Sequence, residues 1–522
     1  MTMTPRLLSA LLLPALLCNT PAVAQENLPS PIPDRPITVA PSLVGDVPPP
    51  PAQELAPAAQ PELTLQQCIA RALQKNFALE IGRYNPQIAQ DSIAIAQAGY
   101  DPVFTVSGSH GKSTTGATNL TASSSSTSSD LRAGVTQQLY TGTTLGASSR
   151  LDRSKLNPAT LAGALNPAYD ADLTLSVRQN LLSGFGTEVN RATLDRARIG
   201  FDIANLDFKA QALSVIQGTE NAYYDLVFAR EQLNVRNFSL ALANKLYDEA
   251  KTRRDTGVAT DLDVLQAQVG VANARRNVLL AEQSVKDRQD ALLALIGQFE
   301  LESTLGTVSF TEVTEATPVF ASSYQLAKQN QPDYLASVAV IEQLKLDLKV
   351  AKDATKPDLS VGAALGLNGR NGSGSDAFGD ALDRQNHSWQ VDFSLTYPWG
   401  QKSDKARYRQ SLSTLSREQV RLHQLEQDIE VQVRSAVRSV ETNLESVKIA
   451  TLASELSQKQ YELEKARFDA GLSTSRRVLE AQNDLESNRV NELSAKATLH
   501  SAISALHRIE GSSLQRYGVT LP

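Results

Sequence analysis

The sequence predicts a mainly α-helical, internally duplicated protein that carries a transmembrane β-barrel portion. Three observations predict it. One unit recurs without a gap at an offset of 214 residues, Gly257 to Gly471. Each copy holds a helical stretch too long for a globular domain. Each stretch is preceded by segments that alternate apolar and polar residues.

The repeat is clearest around two glycines. Thr256-Gly257-Val258-Ala259-Thr260 aligns with Ala470-Gly471-Leu472-Ser473-Thr474, and in the same register Tyr247 meets Tyr461, Asp255 meets Asp469, Arg275 meets Arg489 and Gly297 meets Gly511. A repeat of this kind sets the architecture before any single element is assigned.

The long stretches run over 191–255 and 405–469. The first contains no Pro and only two Gly, and the second contains neither. Leu194, Ala197, Phe201, Ala204 and Phe208 recur at helical spacing in the first, as do Leu415, Leu422, Ile429, Val433, Val437 and Val440 in the second. At 1.5 Å per residue each rod is roughly 100 Å long, and coiled-coil packing is the usual way to shield one. Gly257 and Gly471 fit helix C-termini, because glycine takes the left-handed conformation without a Cβ penalty. Thr260 and Thr474 are placed to cap return helices over 259–296 and 473–509.

Strand patterns stand before each rod. Leu173 to Leu181 and Trp389 to Tyr397 alternate, as do Leu359 to Leu367. Runs of about nine to eleven such residues suit an outer-membrane strand, with one face to lipid and one to water. Two β-hairpin inserts are therefore expected, at 103–182 and 359–397. The first is much the longer. Its stretches 131–140 and 144–151, joined across Thr141-Gly142-Thr143, suggest an extra hairpin that caps the outer mouth, lengthens existing strands, or joins the barrel and raises it to eighteen strands. The Ser/Thr run Ser123 to Ser129 and the Gly/Asn/Ser-rich Asn368 to Gly374 read as solvated loops.

Residues 1–24 read as a secretory signal peptide, with Arg6, an apolar run Leu7 to Leu17, and Ala22-Val23-Ala24 as cleavage site. Leu17 before Cys18 is a poor lipobox. Cys68 is then the single remaining cysteine. Residues 25–61 form a Pro-rich lead with no capacity for a packed core. The first repeat spans 62–297, a linker 298–322, the second repeat 323–511, and a tail 512–522. No segment approaches ~18 consecutive apolar residues, so membrane insertion requires a closed β-barrel.

With a helix, strands, a long helix, a glycine turn and a return helix twice over, the chain resembles the TolC family of outer-membrane efflux proteins (outer membrane factors). The resemblance covers about 63–511. It is carried most specifically by Arg253-Arg254-Asp255-Thr256-Gly257-Val258-Ala259-Thr260, by Arg467-Phe468-Asp469-Ala470-Gly471-Leu472-Ser473-Thr474, and by the Asn180-Leu181-Leu182 to Gly186 stretch, which looks like a strand-to-helix junction. It implies a homotrimeric channel-tunnel with four strands per protomer in a twelve-stranded barrel and an α-barrel below. Open strand edges would demand oligomerisation in any case. It also implies contact with outer-membrane lipid, a periplasmic adaptor (membrane fusion) protein and, through it, an inner-membrane transporter. The adaptor-docking tips would be Arg253, Gly257, Val258, Thr260, Arg467, Gly471, Leu472 and Ser473. Entrance residues would be Asp263, Arg477 and Glu480. The family narrows its entrance with carboxylates six and nine residues beyond the second tip glycine, so Arg477 is a departure. Pairing of Arg477 with Glu480 or Asp263 is one expectation for a closed entrance; a solvated position on the helix face is the other.

Other chemistry is not indicated. Gly111-Lys112-Ser113-Thr114 resembles the end of a phosphate loop, but Val106 stands where the loop needs glycine. His500 and His507 have no acidic or cysteine partner at metal spacing. A net charge of −6 argues against a nucleic-acid surface. No nucleophile–base set stands out, so neither an enzyme nor a cofactor is expected. The competing readings are a periplasmic coiled-coil adaptor, which would carry one hairpin, and an envelope-spanning spacer or adhesin, which would lack paired lipid-facing strands.

Overall fold

A computed structural model of the chain describes residues 63–117, 123–157, 164–297, 305–311, 317–383 and 385–519. The expected signal peptide, Pro-rich lead and much of the inter-repeat linker lie outside these residues. Each repeat opens with two short helices: α1 (Leu65–Lys75) and α2 (Phe77–Ala98), then α6 (Phe320–Asn330) and α7 (Pro332–Asp353). Asn76 divides the first pair. It accepts from the Ala78 amide at 2.9 Å and donates to the Leu295 carbonyl at 2.9 Å. Six strands form one antiparallel meander in chain order: β1 (Val103–Thr115), β2 (Ser124–Gln138), β3 (Thr143–Asn157), β4 (Ala168–Asn180), β5 (Asp358–Asn371) and β6 (His387–Thr396). The rods are α4 (Ala192–Asp255), entered through the single turn α3 (Thr187–Asn190), and α9 (Lys402–Asp469). Their return helices are α5 (Asp261–Leu295) and α10 (Ser475–Glu510). The short α8 (Gly374–Leu382) lies between β5 and β6, and α11 (Ser513–Arg516) is in the tail.

Three expectations are corrected here, the simplest being Asn368 to Gly374, which is no loop: β5 runs through Asn371, paired with Tyr169 of β4, and α8 starts at Gly374. The first insert holds two hairpins, and the extra one caps nothing: β2 pairs with β1 on one side and β3 pairs with β4 on the other. Its 139–143 turn lies beside the strand-to-helix junction, where a Cβ on Gly142 would sit 2.3 Å from the Gly184 carbonyl oxygen. Nor is Ser124 to Ser129 a loop. It is the first part of β2, paired with Thr115 to His110, because backbone pairing on both edges overrides the weak strand preference of serine. The same pairing places Gly111 to Thr114 inside β1.

The helices form a layer with a fixed neighbour order. α2 and α5 follow one another along one side of α4. α7 and α10 lie on its other side, and α9 lies beyond them. Both return helices end on a left-handed glycine pressed against the foot of a short helix. A Cβ on Gly297 (φ +71°) would lie 2.3 Å from the Lys75 carbonyl oxygen, and one on Gly511 (φ +69°) would lie 2.7 Å from that of Asn330. Those contacts fix where α1 and α6 dock. The cores follow the seams. Cys68, Tyr223, Leu226, Leu292 and Ile296 make one cluster, Ile429, Val433, Val437, Val440, Leu499 and Leu506 another. Burial pushes the Cys68 thiol up to about 11, so it stays protonated.

The two repeats are joined where α10 crosses α4. Glu220 of α4 accepts from the hydroxyls of Ser504 and Tyr517. Glu486 of α10 takes Ser239 and Arg236 of α4. Between these clasps His500 of α10 stacks on Tyr224 of α4, with ring centroids 3.9 Å apart and planes 14° from parallel.

Burial lowers the His500 pKa to about 4 from 6.5, with the Thr311 backbone opposing the shift. The unfolded chain therefore binds more protons between those values, and stability is lost as pH falls from 6.5 toward 4. At pH 5 the loss is about 2 kcal/mol. His500→Phe keeps a ring in the stack and removes the titration. The gap in thermal midpoint between wild type and this variant should shift against wild type between pH 7.5 and pH 5. A gap that is the same at both pH values would reject the assignment.

Candidate functional site

The free ends of the helical hairpins gather most of the singled-out residues. Both turns close with the same backbone pattern. The Gly257 amide donates to the Arg254 carbonyl at 2.9 Å and the Val258 amide to that of Arg253 at 2.8 Å. The Gly471 amide donates to Phe468 at 3.0 Å and the Leu472 amide to Arg467 at 2.8 Å. With φ of +78° at Gly257 and +76° at Gly471, each is a Schellman C-cap. The residue after each glycine, Val258 or Leu472, is left 77% and 72% exposed.

Equivalent positions then diverge. Arg253 crosses to the second tip: its guanidinium lies 4.0 Å from the centroid of Phe468 and donates to the Phe468 carbonyl at 3.1 and 3.2 Å. Arg467, its repeat partner, stays on its own helix and pairs with Glu464 at 3.4 Å. Ser473 donates to the same Glu464 carboxylate. Thr260 is a full capping box. The Asp263 carboxylate accepts from the Thr260 hydroxyl at 2.7 Å and amide at 3.0 Å, which holds that carboxyl below the usual range. Asp263 also accepts from Ser475 at 3.3 Å, a second link between the copies.

Two further corrections arise here. Thr474 makes no side-chain cap bond. The reciprocal partner at N3, Asp263 in the first copy, is Arg477 in the second. Nor does Arg477 pair with Glu480 or Asp263 within the protomer. Glu480 takes Arg476 at 2.9 Å, one helical turn away, and Asp263 is engaged by Thr260 and Ser475. Arg477 is exposed. Phe468 and Ser475 were not singled out from the sequence. Ser475 carried a signal, since a hydroxyl stands where the first copy has Asp261.

At the other end of the rods, the Gly184 amide donates to Asp353 at 2.6 Å, and Asn190 donates to the Gly184 and Gly186 carbonyls, both at 2.8 Å. The 180–186 stretch is thus the hinge between sheet and rod. Asp353, almost fully buried at the end of α7, also pairs with Lys356 at 2.6 Å.

Paired rods with capped tips, joined end-on to a sheet that is apolar on one face, define an outer-membrane channel-tunnel. The sequence profile of the outer membrane efflux protein family matches residues 163–298 and 323–512, and the chain belongs to that family. The pyoverdine export outer membrane protein OpmQ of Pseudomonas putida is 23% identical over 353 residues, 64% of this chain and 70% of its own length. Toxin and drug export protein A of Aggregatibacter actinomycetemcomitans is 22% identical over 386 residues, 67% and 79% of the two chains. Among solved structures, the outer-membrane channel OprN superposes with a TM-score of 0.66 at 18% identity, covering 86% of this chain and 90% of its own. For CusC the score is 0.66 at 15% identity, covering 87% and 94%. The protein is an outer-membrane channel of the efflux type whose helices extend into the periplasm, and its family is one of channels.

Nothing lies within 4 Å of a Cβ built on Gly257 or Gly471, so substitutions there meet no clash and test the backbone alone. Gly471→Asn should be tolerated best, Gly471→Ala less well, and Gly471→Val should cost about 1–3 kcal/mol of local stability. Hydrogen exchange of the tip amides measures this. An equal effect of Asn and Val would show that φ is not the constraint.

Proposed function

We propose that three copies of the chain close into a passive trans-periplasmic exit duct. A periplasmic adaptor docks on the tips, and an inner-membrane transporter supplies the energy, as in a tripartite efflux or type I secretion system. The observation that supports this best is a shared lateral order. The helix layer runs α2/α5, α4, α7/α10, α9, and the sheet runs β1 to β6. One flank thus carries the β1 edge with α2 and α5, the other the β6 edge with α9. Each flank bears an unpartnered apolar stripe: Ile81, Tyr84, Ile88 and Ile95 on α2, and Ile449, Leu452, Leu456 and Leu463 on α9, all more than half exposed. Both stripes advance by three, four and seven residues, the spacing of a helix–helix seam. Unlike flanks that fit each other build a ring. Three is the number the family resemblance implies.

The tips suit a docking role because Val258 and Leu472 project from turns braced by Arg253, Phe468 and the Asp263 cap. The names of relatives speak of exported pyoverdine, toxin, drug and toluene, which supports export through the duct as the role and spans more than one class of cargo.

In detergent the purified protein should run as a trimer and give stepwise currents in a planar bilayer. A compact soluble monomer would end this reading. Val258→Asp combined with Leu472→Asp should leave trimer and conductance intact, while export, read as drug susceptibility, falls to the level of a deletion strain. Unchanged export would remove the tips as docking sites.

A further inference from the structure

We propose that the β2–β3 hairpin crosses the outer membrane with the other four strands, so that the closed barrel has eighteen strands, six from each of three copies, with its apolar face to lipid and a belt of paired charges to the lumen. This rests on the trimeric reading above.

Connectivity carries the proposal first. β1 does not touch β4; it reaches the rest of the sheet only through β2 and β3. β2 pairs with β1 from Val103–Thr136 to Thr115–Ser124, and β3 pairs with β4 from Thr143–Gln179 to Ser154–Ala168. Taking the hairpin out of the membrane would expose facing edges of β1 and β4 to hydrocarbon, where each unpaired backbone group costs several kcal/mol.

The side chains agree. Along the register one row reads Phe104, Val135, Ala147, Leu175, Leu365, Trp389, spanning all six strands without a break. The neighbouring row on the same face reads Gln137, Leu145, Val177, Ala363, Val391. Leu131 and Leu151 continue it outward to Ala171. From Leu359 to Gly369 on β5 this face spans roughly 34 Å of strand, which at a tilt near 40° becomes a band of about 26 Å, the height of an outer-membrane apolar belt. Every charge of the hairpin within that span lies on the opposite face. On that face, at the outer rim of the span, Asp130 takes Arg132 at 2.8 Å and Arg150 at 2.6 Å, Arg150 reaches Asp152 at 2.8 Å, and Arg370 of β5 pairs with Asp170 at 3.4 Å. Such a belt needs a water-filled interior.

The inner end of the hairpin is fixed where an inner-leaflet turn belongs. Tyr140 packs against Tyr100 with ring centroids 4.2 Å apart and planes tilted by 42°, and the Arg191 guanidinium lies 5.8 Å over the Tyr140 ring. Barrel diameter grows about linearly with strand number, which makes the aperture roughly half again as wide as that of twelve strands and places it in the range that leaves an open aqueous channel. The narrowest part of the duct then lies in the helices.

Single tryptophans read by brominated phospholipid test this. In full-length protein carrying Trp389→Phe and Trp399→Phe, reconstituted in vesicles of brominated phosphatidylcholine, Leu175→Trp on β4 and Ala147→Trp on the hairpin should be quenched alike, and Ser148→Trp should not. Val135→Trp serves as a second hairpin position if Ala147→Trp does not assemble. Quenching at 175 without quenching at 147 or 135 would overturn the eighteen-stranded barrel and leave the duct intact. No quenching at 175 would overturn the membrane barrel itself, and this proposal with it.

Discussion

A β-sheet placed in hydrocarbon has no water to satisfy its edges, and that constraint organises the whole protomer. Within the chain, β2 to β5 are paired on both sides, so the unmet hydrogen bonds are confined to β1 and β6. The chain leaves β1 backward into α2 and leaves β6 forward into α9, which puts a helix with one exposed apolar stripe under each open edge. In the proposed ring the protomer is a sector of a tube at both levels, and the lateral closure that pairs strand with strand also buries the stripes on α2 and α9.

The helical half faces a different difficulty. A rod buries only a stripe per neighbour, so the register between rods must be fixed by something more specific than apolar area. Here it is fixed by carboxylates. Glu220 and Glu486 are each almost fully buried, one on α4 and one on α10, and each meets hydroxyl or guanidinium donors from the opposite helix or the tail. A buried carboxylate without those donors is costly, so sliding α10 along α4 by one turn would be strongly disfavoured. The ring stack of His500 on Tyr224 lies between them and disfavours a charged imidazole. The seam between the repeats is thus set by polar geometry, with the apolar clusters supplying the bulk of the burial.

At the tips the duplication has been used asymmetrically. Asp263 and Arg477 occupy equivalent positions, yet the first completes a capping box and reaches Ser475, whereas the second stays exposed. Arg253 and Arg467 are likewise equivalent, yet only Arg253 bridges to the other copy. One turn is tied by its cap and the other by the arginine that crosses to it. The pair holds together as one tip with two exposed apolar residues.

The sequence by itself determined the repeat, the rods, the return helices and the turn glycines. Each rests on local physics: helical spacing of apolar residues, left-handed backbone at Gly257 and Gly471, alternation along a strand. It also located the tip residues, because they are the repeat. Only the tertiary structure decided the strand count, since Ser124 to Ser129 is strand solely through pairing with residues on either side. Only the structure decided the fates of Arg253, Arg477 and Glu480, because an ion pair depends on which neighbour packing brings within reach. Local periodicity states what each segment can be, and long-range pairing decides what it joins.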